Sequence, residues 1–418
     1  MKIHIITIGD EILIGQVLNT NAGTIGNLLA DINLNANRTS VIGDNEEDII
    51  NEFKETWEKN DVIITTGGLG PTHDDITRTC IVKFFNTQLI KDEEVFSDIK
   101  SLFQVRGREV TKINENQALV PKIANVLRNS YGTAPGLWIG KDKKVMIVLP
   151  GVPYEMEMMM KNLVIPRLIE KYSKDGNIFK RLVLQTTGIP ESALFEKFGD
   201  LEEILGDAKM AFLPSLLGVR LRVTVEAKDE ETAHNKLTEI EQKIKSKAGR
   251  YIFATGEVTL EEVIARLLKE RNLRIAVAES CTGGLVSNIL TNISGSSDYF
   301  DRGIVSYSNA SKVEILNVNE DVISEYGAVS LEVARQMAEG VKAISGTDIG
   351  LSTTGIMGPT GATPGKQVGL VYIGFCDDTV CTAKKFLFGD NRIFNKQRTA
   401  QAALEMIRRA LLGISFDD

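Results

Sequence analysis

Histidine is scarce in this chain of 418 residues, which contains only His4, His73 and His234. A serine nucleophile needs a general base, and in many hydrolases that base is a histidine oriented by a carboxylate. With three widely separated histidines, a Ser-His-Asp hydrolase is hard to build. Any general base is therefore expected to be a lysine, an aspartate or a glutamate.

Cysteine is nearly as scarce, since the chain has only Cys80, Cys281, Cys376 and Cys381. No two of them form a Cys-x-x-Cys pair. Disulfide frameworks and structural zinc sites are recognised by paired cysteines at short, regular spacings. We therefore expect neither in this protein.

Long apolar runs and basic clusters are also missing. No apolar run approaches the ~18 residues that cross a bilayer. The net charge is −8, and without a basic cluster the phosphates of a nucleic acid cannot be neutralised. The apolar N-terminus is followed at once by Gly9-Asp10-Glu11 without a small-residue cleavage site, so it reads as a first strand rather than a signal peptide. We expect a cytoplasmic protein that binds neither nucleic acid nor membrane.

The length and the pattern of apolar residues predict an α/β protein of several domains. In residues 1–170, candidate strands at 3–8, 37–42, 62–66, 137–140 and 145–149 alternate with helical patterns, which indicates a mostly parallel three-layer sheet domain. Residues 171–253 read as a small α+β module, because Val219, Leu221, Val223 and Val225 alternate with polar residues. Residues 254–418 return to an α/β pattern, opened by a capping box at Thr259.

A glycine-rich stretch follows the predicted strand 62–66. It contains Gly67, Gly68 and Gly70 and precedes a helical pattern at 75–84. Glycines let the backbone approach a phosphate, and the helix N-terminus supplies amide donors. The stretch therefore predicts a phosphate-binding loop, although glycine-rich turns after strands are common in proteins that bind nothing there.

Acidic residues surround this loop in the sequence. Asp74 and Asp75 would repel a phosphate unless a divalent cation bridges them, and oxygen ligands suit Mg²⁺ or a similar ion. Asp10, Glu11 and Asp44 end other strands and could complete the site. In the alternative interpretation, an aspartate near a helix start is only a cap.

The stretch from Arg274 to Lys312 is the most informative. An apolar run at 275–278 stops at Glu279-Ser280-Cys281-Thr282, and two glycines and a helical pattern follow. This is the pattern of a buried strand, a tight turn and a helix. A hydroxyl at such a turn lies at the positive end of the helix, where it can act as a nucleophile or serve merely as a cap.

If Ser280 is a nucleophile, Lys312 is the candidate base, because burial can lower the pKa of a lysine. Tyr307 could relay the proton or hold the amine, and the turn amides as far as Gly283 could form an oxyanion hole. In the alternative interpretation, Ser280 or Thr282 caps the helix and Lys312 is solvated. Cys281 is a second candidate nucleophile. The glycine-rich loop at 353–359 ends another strand and could close the site with Gly355, Gly358 and the hydroxyl of Thr354.

The N-terminal motifs resemble a known fold. The motifs at 9–13, 20–22 and 66–75 look like the molybdopterin-binding fold shared with MoaB and MogA, and those at 132–136 and 149–156 resemble the N-terminal domain of the CinA family. In that family the resemblance implies a metal-dependent ADP-ribose pyrophosphatase. The fold's functional aspartates correspond to Asp44 and to Asp74 or Asp75.

The C-terminal motifs resemble the CinA C-terminal domain, a nicotinamide-nucleotide amidase of the PncC type. They occur in order at 278–284, 294–297, 307–312, 327–330 and 354–359. The resemblance implies hydrolysis of nicotinamide mononucleotide to nicotinic acid mononucleotide and ammonia without a cofactor. Ser280 is then the nucleophile and Lys312 its base, with Tyr307 and Thr354 assisting.

One motif departs from the family pattern. A Gly-Asp-Arg run usually precedes the last helix, and here it reads Gly389-Asp390-Asn391-Arg392, with Arg398 further on. Either arginine could hold the substrate phosphate. Two functional alternatives remain: an amidase whose N-terminal domain binds a nucleotide without turnover, and a non-enzymatic accessory of DNA uptake or recombination. A homodimer is expected, since symmetric dimers are the commonest oligomers.

Overall fold

The computed structural model describes residues 1–72, 75–105, 107–172 and 178–416. They form two compact units, Met1–Phe179 and Lys180–Asp418. The second unit contains residues 180–253 of the module predicted at 171–253 and the whole of the domain predicted at 254–418. Each unit has its own sheets and its own buried core, and each is described by itself below.

The first unit is built on a six-stranded sheet in the order β2-β1-β3-β8-β7-β6. Strands β1, β2, β3 and β8 run parallel, and β7 and β6 add an antiparallel edge. This confirms the predicted mostly parallel sheet. The strands of this unit, including the small β4-β5 pair, are β1 (Ile3–Ile8), β2 (Ala36–Ile42), β3 (Val62–Thr66), β4 (Leu89–Lys91), β5 (Leu119–Pro121), β6 (Asn125–Leu127), β7 (Gly136–Lys141) and β8 (Lys144–Leu149).

Helices cover both faces of this sheet. Alternate residues of each central strand face opposite cores, so Ile64 packs in one apolar cluster and Ile63 in the other. The arrangement has the predicted three layers. The helices are α1 (Asp10–Leu13), α2 (Thr20–Asp31), α3 (Glu46–Lys59), α4 (Thr77–Phe85), α5 (Glu93–Val105), α6 (Lys112–Glu115), α7 (Pro153–Met159) and α8 (Ile165–Tyr172), the last two joined by a π-helical turn at Met160–Val164.

The second unit begins with a four-stranded sheet in the order β10-β11-β9-β12. The alternation along β11 is confirmed, because Val219, Leu221, Val223 and Val225 are all buried. Strand β10 and helices α9 and α10 are short, and the sequence pattern did not predict them. The elements are β9 (Ile178–Thr186), α9 (Glu191–Phe198), α10 (Leu201–Leu205), β10 (Lys209–Pro214), β11 (Val219–Ala227), α11 (Glu230–Ala248) and β12 (Ile252–Thr255).

The rest of the second unit is a five-stranded sheet in the order β14-β13-β15-β16-β17, with helices on its faces. Strand β13 runs parallel to both of its neighbours, and β16 and β17 form an antiparallel edge. The capping box is confirmed at Thr259 and Glu262. The elements are α12 (Leu260–Glu270), β13 (Ile275–Glu279), α13 (Leu285–Thr291), β14 (Phe300–Val305), α14 (Asn309–Leu316), α15 (Glu320–Tyr326), α16 (Leu331–Ser345), β15 (Ile349–Gly355), β16 (Leu370–Cys376), β17 (Cys381–Leu387) and α17 (Arg392–Leu412).

Two features of this domain differ from the expectations. Cys376 and Cys381 face each other across the β16-β17 pair, with Cα atoms 4.0 Å apart, and their sulfurs are bonded. The spacing of the cysteines did not predict this single bond, which joins neighbouring strands of a hairpin and is not a disulfide framework. Helix α17 begins at Arg392, two turns before the helix predicted at 400–411, because Asn391 caps it through its side chain. None of the described helices combines the length and the apolarity that a membrane crossing requires.

Candidate active site

Ser280 lies at the turn between β13 and α13. Its backbone amide donates to the carbonyl of Thr353 on β15 at 2.9 Å, which fixes the residue to the end of the sheet. Gly283 and Gly284 follow with φ of 61° and 95°, a conformation that favours glycine and turns the chain into the helix. The serine side chain is 9 % exposed. The residue is therefore anchored at the end of the sheet and keeps a small exposed surface.

The carboxylate of Glu279 caps helix α13. One oxygen accepts from the amides of Gly284 and Val286 at 2.9 and 3.1 Å, and the other accepts from the amide and hydroxyl of Ser287 at 2.8 and 2.7 Å. Glu279 is fully buried. Because this carboxylate accepts the hydrogen bonds of the amide donors in the first turn of the helix, the interpretation of Ser280 as the helix cap is wrong.

Lys312 is also buried, with 1 % of its surface exposed. Its Nζ lies 3.1 Å from Ser280 Oγ and donates to the carbonyls of Ser306 and Tyr307 at 2.8 and 3.3 Å. Burial lowers the pKa of Lys312 from its usual value, because an ammonium ion loses its hydration in the interior. The alternative of a solvated lysine is therefore wrong, and the nucleophile–base contact required of a Ser-Lys pair is present.

The three oxygens around Lys312 Nζ can be satisfied by a neutral amine as well as by an ammonium ion. A neutral amine has two N–H donors and one lone pair, and the two carbonyls take both donors. The lone pair is then left for the Ser280 hydroxyl, 3.1 Å away. In this state Lys312 can remove the proton from Ser280.

Three backbone amides follow Ser280 in the turn. The amides of Cys281, Thr282 and Gly283 donate to no acceptor in the described part of the chain. The amide of Ser280, by contrast, donates to the carbonyl of Thr353 on the neighbouring strand. Free amides beside a nucleophile can stabilise an oxyanion. The Thr282 hydroxyl is not available for this, because it shares a 2.6 Å hydrogen bond with the hydroxyl of Thr353.

Cys281 is a poor alternative to Ser280 as the nucleophile. Its thiol is buried, and burial raises its pKa to about 12. Because the thiolate is the reactive form, the thiol is inert near neutral pH.

Tyr307 and Thr354 lie near the pair without contacting the amine through their side chains. The Tyr307 ring is 64 % exposed, and only its backbone carbonyl meets Lys312. Thr354 is buried, and its hydroxyl donates to the carbonyl of Ala328 at 2.8 Å. The structure therefore shows Thr354 positioning the end of β15, and it shows Tyr307 holding the amine through the backbone.

The second glycine-rich loop is anchored by helix α17. Asn395 donates to the carbonyls of Met357 and Gly389 at 2.9 and 2.8 Å. Gly358 has a φ of 85°, and a Cβ there would come within 2.6 Å of the Val368 side chain. Gly355 ends β15. The loop is thus fixed against the start of α17.

The two candidate arginines lie on different faces of α17. The Arg392 guanidinium donates to the carbonyl of Gly358 at 3.2 Å and to the hydroxyl of Tyr307 at 3.3 Å, so it belongs to the Ser280 site. Arg398 is six residues further and lines a separate cavity. Residues four apart share a helix face, and residues six apart do not.

Lys396 is a site residue that the sequence reasoning missed. It is four residues after Arg392, and a Cβ on Gly283 would lie 3.5 Å from its Nζ. The ammonium group makes no hydrogen bond or ion pair within the described residues. Its spacing from Arg392 would have revealed it, had the sequence shown that α17 begins so early.

In the first unit, the glycine-rich loop packs tightly against the protein itself. Gly67 has a φ of 111°, and a Cβ there would lie 2.0 Å from the carbonyl oxygen of Ile8. A Cβ on Gly68 would meet the Thr77 hydroxyl, and one on Gly70 would meet the Asp75 carboxylate. The fold alone therefore requires Gly67, and Gly68 and Gly70 pack closely against neighbouring side chains.

The predicted acidic ligands are only partly assembled. Asp10 and Asp44 accept each other's backbone amides at 3.0 and 3.1 Å. Burial, with the nearby carboxylates of Asp10, Glu11 and Asp75, raises the pKa of Asp44. Asp75 accepts from the amides of Gly70 and Thr72, which precede it in the loop, and not from the first turn of α4 in the described residues, so it does not act as a helix cap. Asp74 lies outside the described residues, and within them no three acidic, histidine or cysteine side chains are arranged to hold a metal ion.

One buried acceptor beside this loop has no partner. Asn21 is 7 % exposed, and its amide nitrogen donates to Thr66 Oγ1 and to the carbonyl of Gly151 at 3.0 and 2.8 Å. Its Oδ1 accepts nothing within the described residues. A buried carbonyl oxygen without a donor is costly, so this position is suited to a ligand or water that donates.

Family models match three segments of the chain. The CinA C-terminal domain matches residues 257–411, a probable molybdopterin binding domain matches 4–170, and the KH domain of the damage-inducible protein CinA matches 181–254. The fold and the matched segments thus define a multidomain α/β protein with a molybdopterin-binding-like domain, and the second unit carries a buried Ser-Lys pair.

Whole-length relatives identify the family. A CinA-like protein of Salinibacter ruber is 45% identical over 98% of this chain and 100% of its own length. A CinA-like protein of Kosmotoga olearia is 42% identical over 99% of this chain and 100% of its own length. The chain belongs to the CinA family. Among solved structures, CinA from Thermoplasma acidophilum is 36% identical, covers 39% of this chain and 95% of its own, and has a TM-score of 0.37.

Proposed function

We propose that the second unit hydrolyses the carboxamide of nicotinamide mononucleotide to nicotinic acid mononucleotide and ammonia. The observation that carries the proposal is the 3.1 Å contact between Ser280 Oγ and the buried Lys312 Nζ. The resemblance of this domain to nicotinamide-nucleotide amidases supplies the substrate. No metal or other cofactor is needed for such a reaction.

The reaction begins when neutral Lys312 removes the proton from Ser280 and Oγ attacks the carboxamide carbon. The amides of Cys281, Thr282 and Gly283 stabilise the oxyanion. The Lys312 ammonium returns its proton to the departing nitrogen, ammonia leaves, and an acyl-serine remains. Lys312 then deprotonates a water molecule that cleaves this ester, releasing the carboxylate and restoring Ser280.

The phosphate of the substrate is assigned to Arg392 and Lys396. The Arg392 guanidinium contacts Gly358 and Tyr307, and the Lys396 ammonium lies close to Gly283 and makes no hydrogen bond or ion pair within the described residues. Both side chains project from the first two turns of α17. A guanidinium and an ammonium at this spacing suit a phosphate dianion.

The test is ammonia release from nicotinamide mononucleotide by purified protein. Wild type is expected to be active, and Ser280→Ala is expected to lose at least about 10³-fold in kcat, as nucleophile removal does elsewhere. Ser246→Ala, an exposed serine on α11, serves as the matched control. An inactive wild type or an active Ser280→Ala variant would refute the proposal.

We propose as a second function that the first unit hydrolyses ADP-ribose with a divalent cation such as Mg²⁺. Two observations favour it: the Asn21 acceptor beside the glycine-rich loop, which has no partner among the described residues, and the opposed carboxylates of Asp10 and Asp44. Asp10, Asp44 and Asp74 would hold the cation, whose charge would offset that of the pyrophosphate. Asn21 Oδ1 would accept a hydrogen bond from a ribose hydroxyl.

The second function is tested by measuring the hydrolysis of ADP-ribose by purified protein with and without EDTA. Asp44→Asn and Asp74→Ala are expected to lose activity, and Asp142→Asn, in an exposed turn, is the control. Activity that survives EDTA or both substitutions would exclude this assignment and leave a domain that binds its ligand without turnover.

A further inference from the structure

The second unit contains a cavity that the proposed reaction does not use. Its volume is about 670 Å³, and it lies between the module of residues 180–255 and the sheet edge and helix α17 of the following domain. Ser280 and Lys312 do not line it. A volume of this size is typical of sites for small organic ligands.

The two walls of the cavity are joined by polar contacts. Gln401 donates to the hydroxyl of Thr187 at 3.1 Å, and the Arg408 guanidinium donates to the carbonyl of Arg250 at 2.6 Å. Arg408 is 1 % exposed. These contacts fix the module against α17, so the cavity is a defined space within the folded unit.

One wall is aromatic. The rings of Phe386 and Phe388 are stacked with their centroids 5.9 Å apart and an angle of 15° between their planes. Met406 and Ile189 also line the cavity. A flat aromatic ring can extend such a stack and bury its faces against apolar side chains. The wall therefore favours a planar aromatic ligand.

The charged groups of the cavity favour an anion. The carboxylate of Glu405 accepts hydrogen bonds from the guanidinium groups of Arg408 and Arg409, with N···O distances of 2.7 to 2.8 Å. Its charge is therefore already paired. Arg398, half-buried on the same helix, makes no hydrogen bond or ion pair within the described residues. A guanidinium in this setting pairs well with a carboxylate, sulfonate or phosphate. Glu191 also lines the cavity, but it is exposed to solvent.

We propose that this cavity binds a planar aromatic molecule carrying an anionic group. The ring lies against Phe386 and Phe388, and the anion pairs with Arg398. The ligand class follows from the walls alone, and it does not depend on the amidase activity.

The test uses 8-anilinonaphthalene-1-sulfonate as a fluorescent probe of the full chain. N-phenyl-1-naphthylamine, which has the same rings without the sulfonate, is the uncharged comparison. Arg398→Gln removes the cation, and Leu217→Glu places a negative charge in the exposed mouth of the cavity. Gln397→Glu adds the same charge on α17 outside the cavity. Circular dichroism and thermal unfolding establish that each variant is folded.

We expect one saturable site per chain for the sulfonate and affinity at least about tenfold lower for the uncharged compound, as loss of a charged hydrogen bond predicts. Arg398→Gln and Leu217→Glu should each lower the affinity for the sulfonate probe by a similar factor, and Gln397→Glu should leave this affinity unchanged. Non-saturable binding, or equal affinity of all variants, would show adventitious apolar adsorption and overturn the proposal. If Arg398→Gln does not fold, Leu217→Glu and the uncharged compound decide the matter.

Discussion

Replacing Glu279 by glutamine should unfold or severely weaken the second unit. The carboxylate accepts four hydrogen bonds, two at each oxygen, from the turn that carries Ser280 and from the start of α13. A glutamine retains one oxygen and replaces the other with an NH₂ group. Two donors then lose their acceptor and face another donor.

The magnitude follows from the two lost bonds. A hydrogen bond to a charged group contributes about 1.5–3 kcal/mol, so the substitution should lower the free energy of unfolding by about 3–6 kcal/mol. The total free energy of unfolding of a typical domain is about 5–15 kcal/mol. Ser287→Ala, which removes only one of the four donors, should cost about 1.5–3 kcal/mol and provides the comparison.

The assay is unfolding in urea, monitored by tryptophan fluorescence and by circular dichroism. Both tryptophans, Trp57 and Trp138, lie in the first unit, so their fluorescence reports that unit and should be unchanged by the substitution. Far-ultraviolet circular dichroism reports both units and should show an early transition in Glu279→Gln. A loss below about 1 kcal/mol in this transition would refute the role given to the carboxylate.

The other predictions concern the chemistry at Ser280. Amidase kcat/KM should rise with pH as Lys312 loses its proton, with a midpoint below the usual lysine value of 10.5 because burial lowers the pKa; a pH–rate profile without such a rise would contradict the assignment of the base. Lys312→Arg should abolish activity at every pH, since a guanidinium stays protonated. Lys396→Ala should raise KM for nicotinamide mononucleotide about tenfold, as loss of one charged contact to the phosphate predicts, and should leave any hydrolysis of nicotinamide riboside, which has no phosphate, unchanged; steady-state kinetics with both compounds will measure this. Cys281→Ala should keep kcat within about threefold of wild type, because its thiol has a pKa of about 12; loss comparable to that of Ser280→Ala would make the cysteine the nucleophile.

The strands were largely predictable because buried parallel strands are short apolar runs between turn signals. The Ser280–Lys312 pairing was predictable as a hypothesis, since few other bases were available. The role of Glu279 was not predictable, because a carboxylate that ends a strand gives no sign of which helix it caps.

The choice between Arg392 and Arg398 depended on where α17 begins. Its first two turns contain only Ile393 and Phe394 as apolar residues, and the cap at Asn391 was not recognised. The Cys376–Cys381 bond required the register of β16 and β17, which spacing alone does not give.

Helix α17 links the two proposed ligand sites of the second unit. Its first two turns carry Arg392 and Lys396 beside Ser280, and Arg398 and Glu405 line the cavity further along. At 1.5 Å per residue, Lys396 and Glu405 are about 14 Å apart along the axis. A ligand that shifts this helix alters both sites together. Thermodynamic linkage then requires each ligand to change the affinity of the other by the same factor.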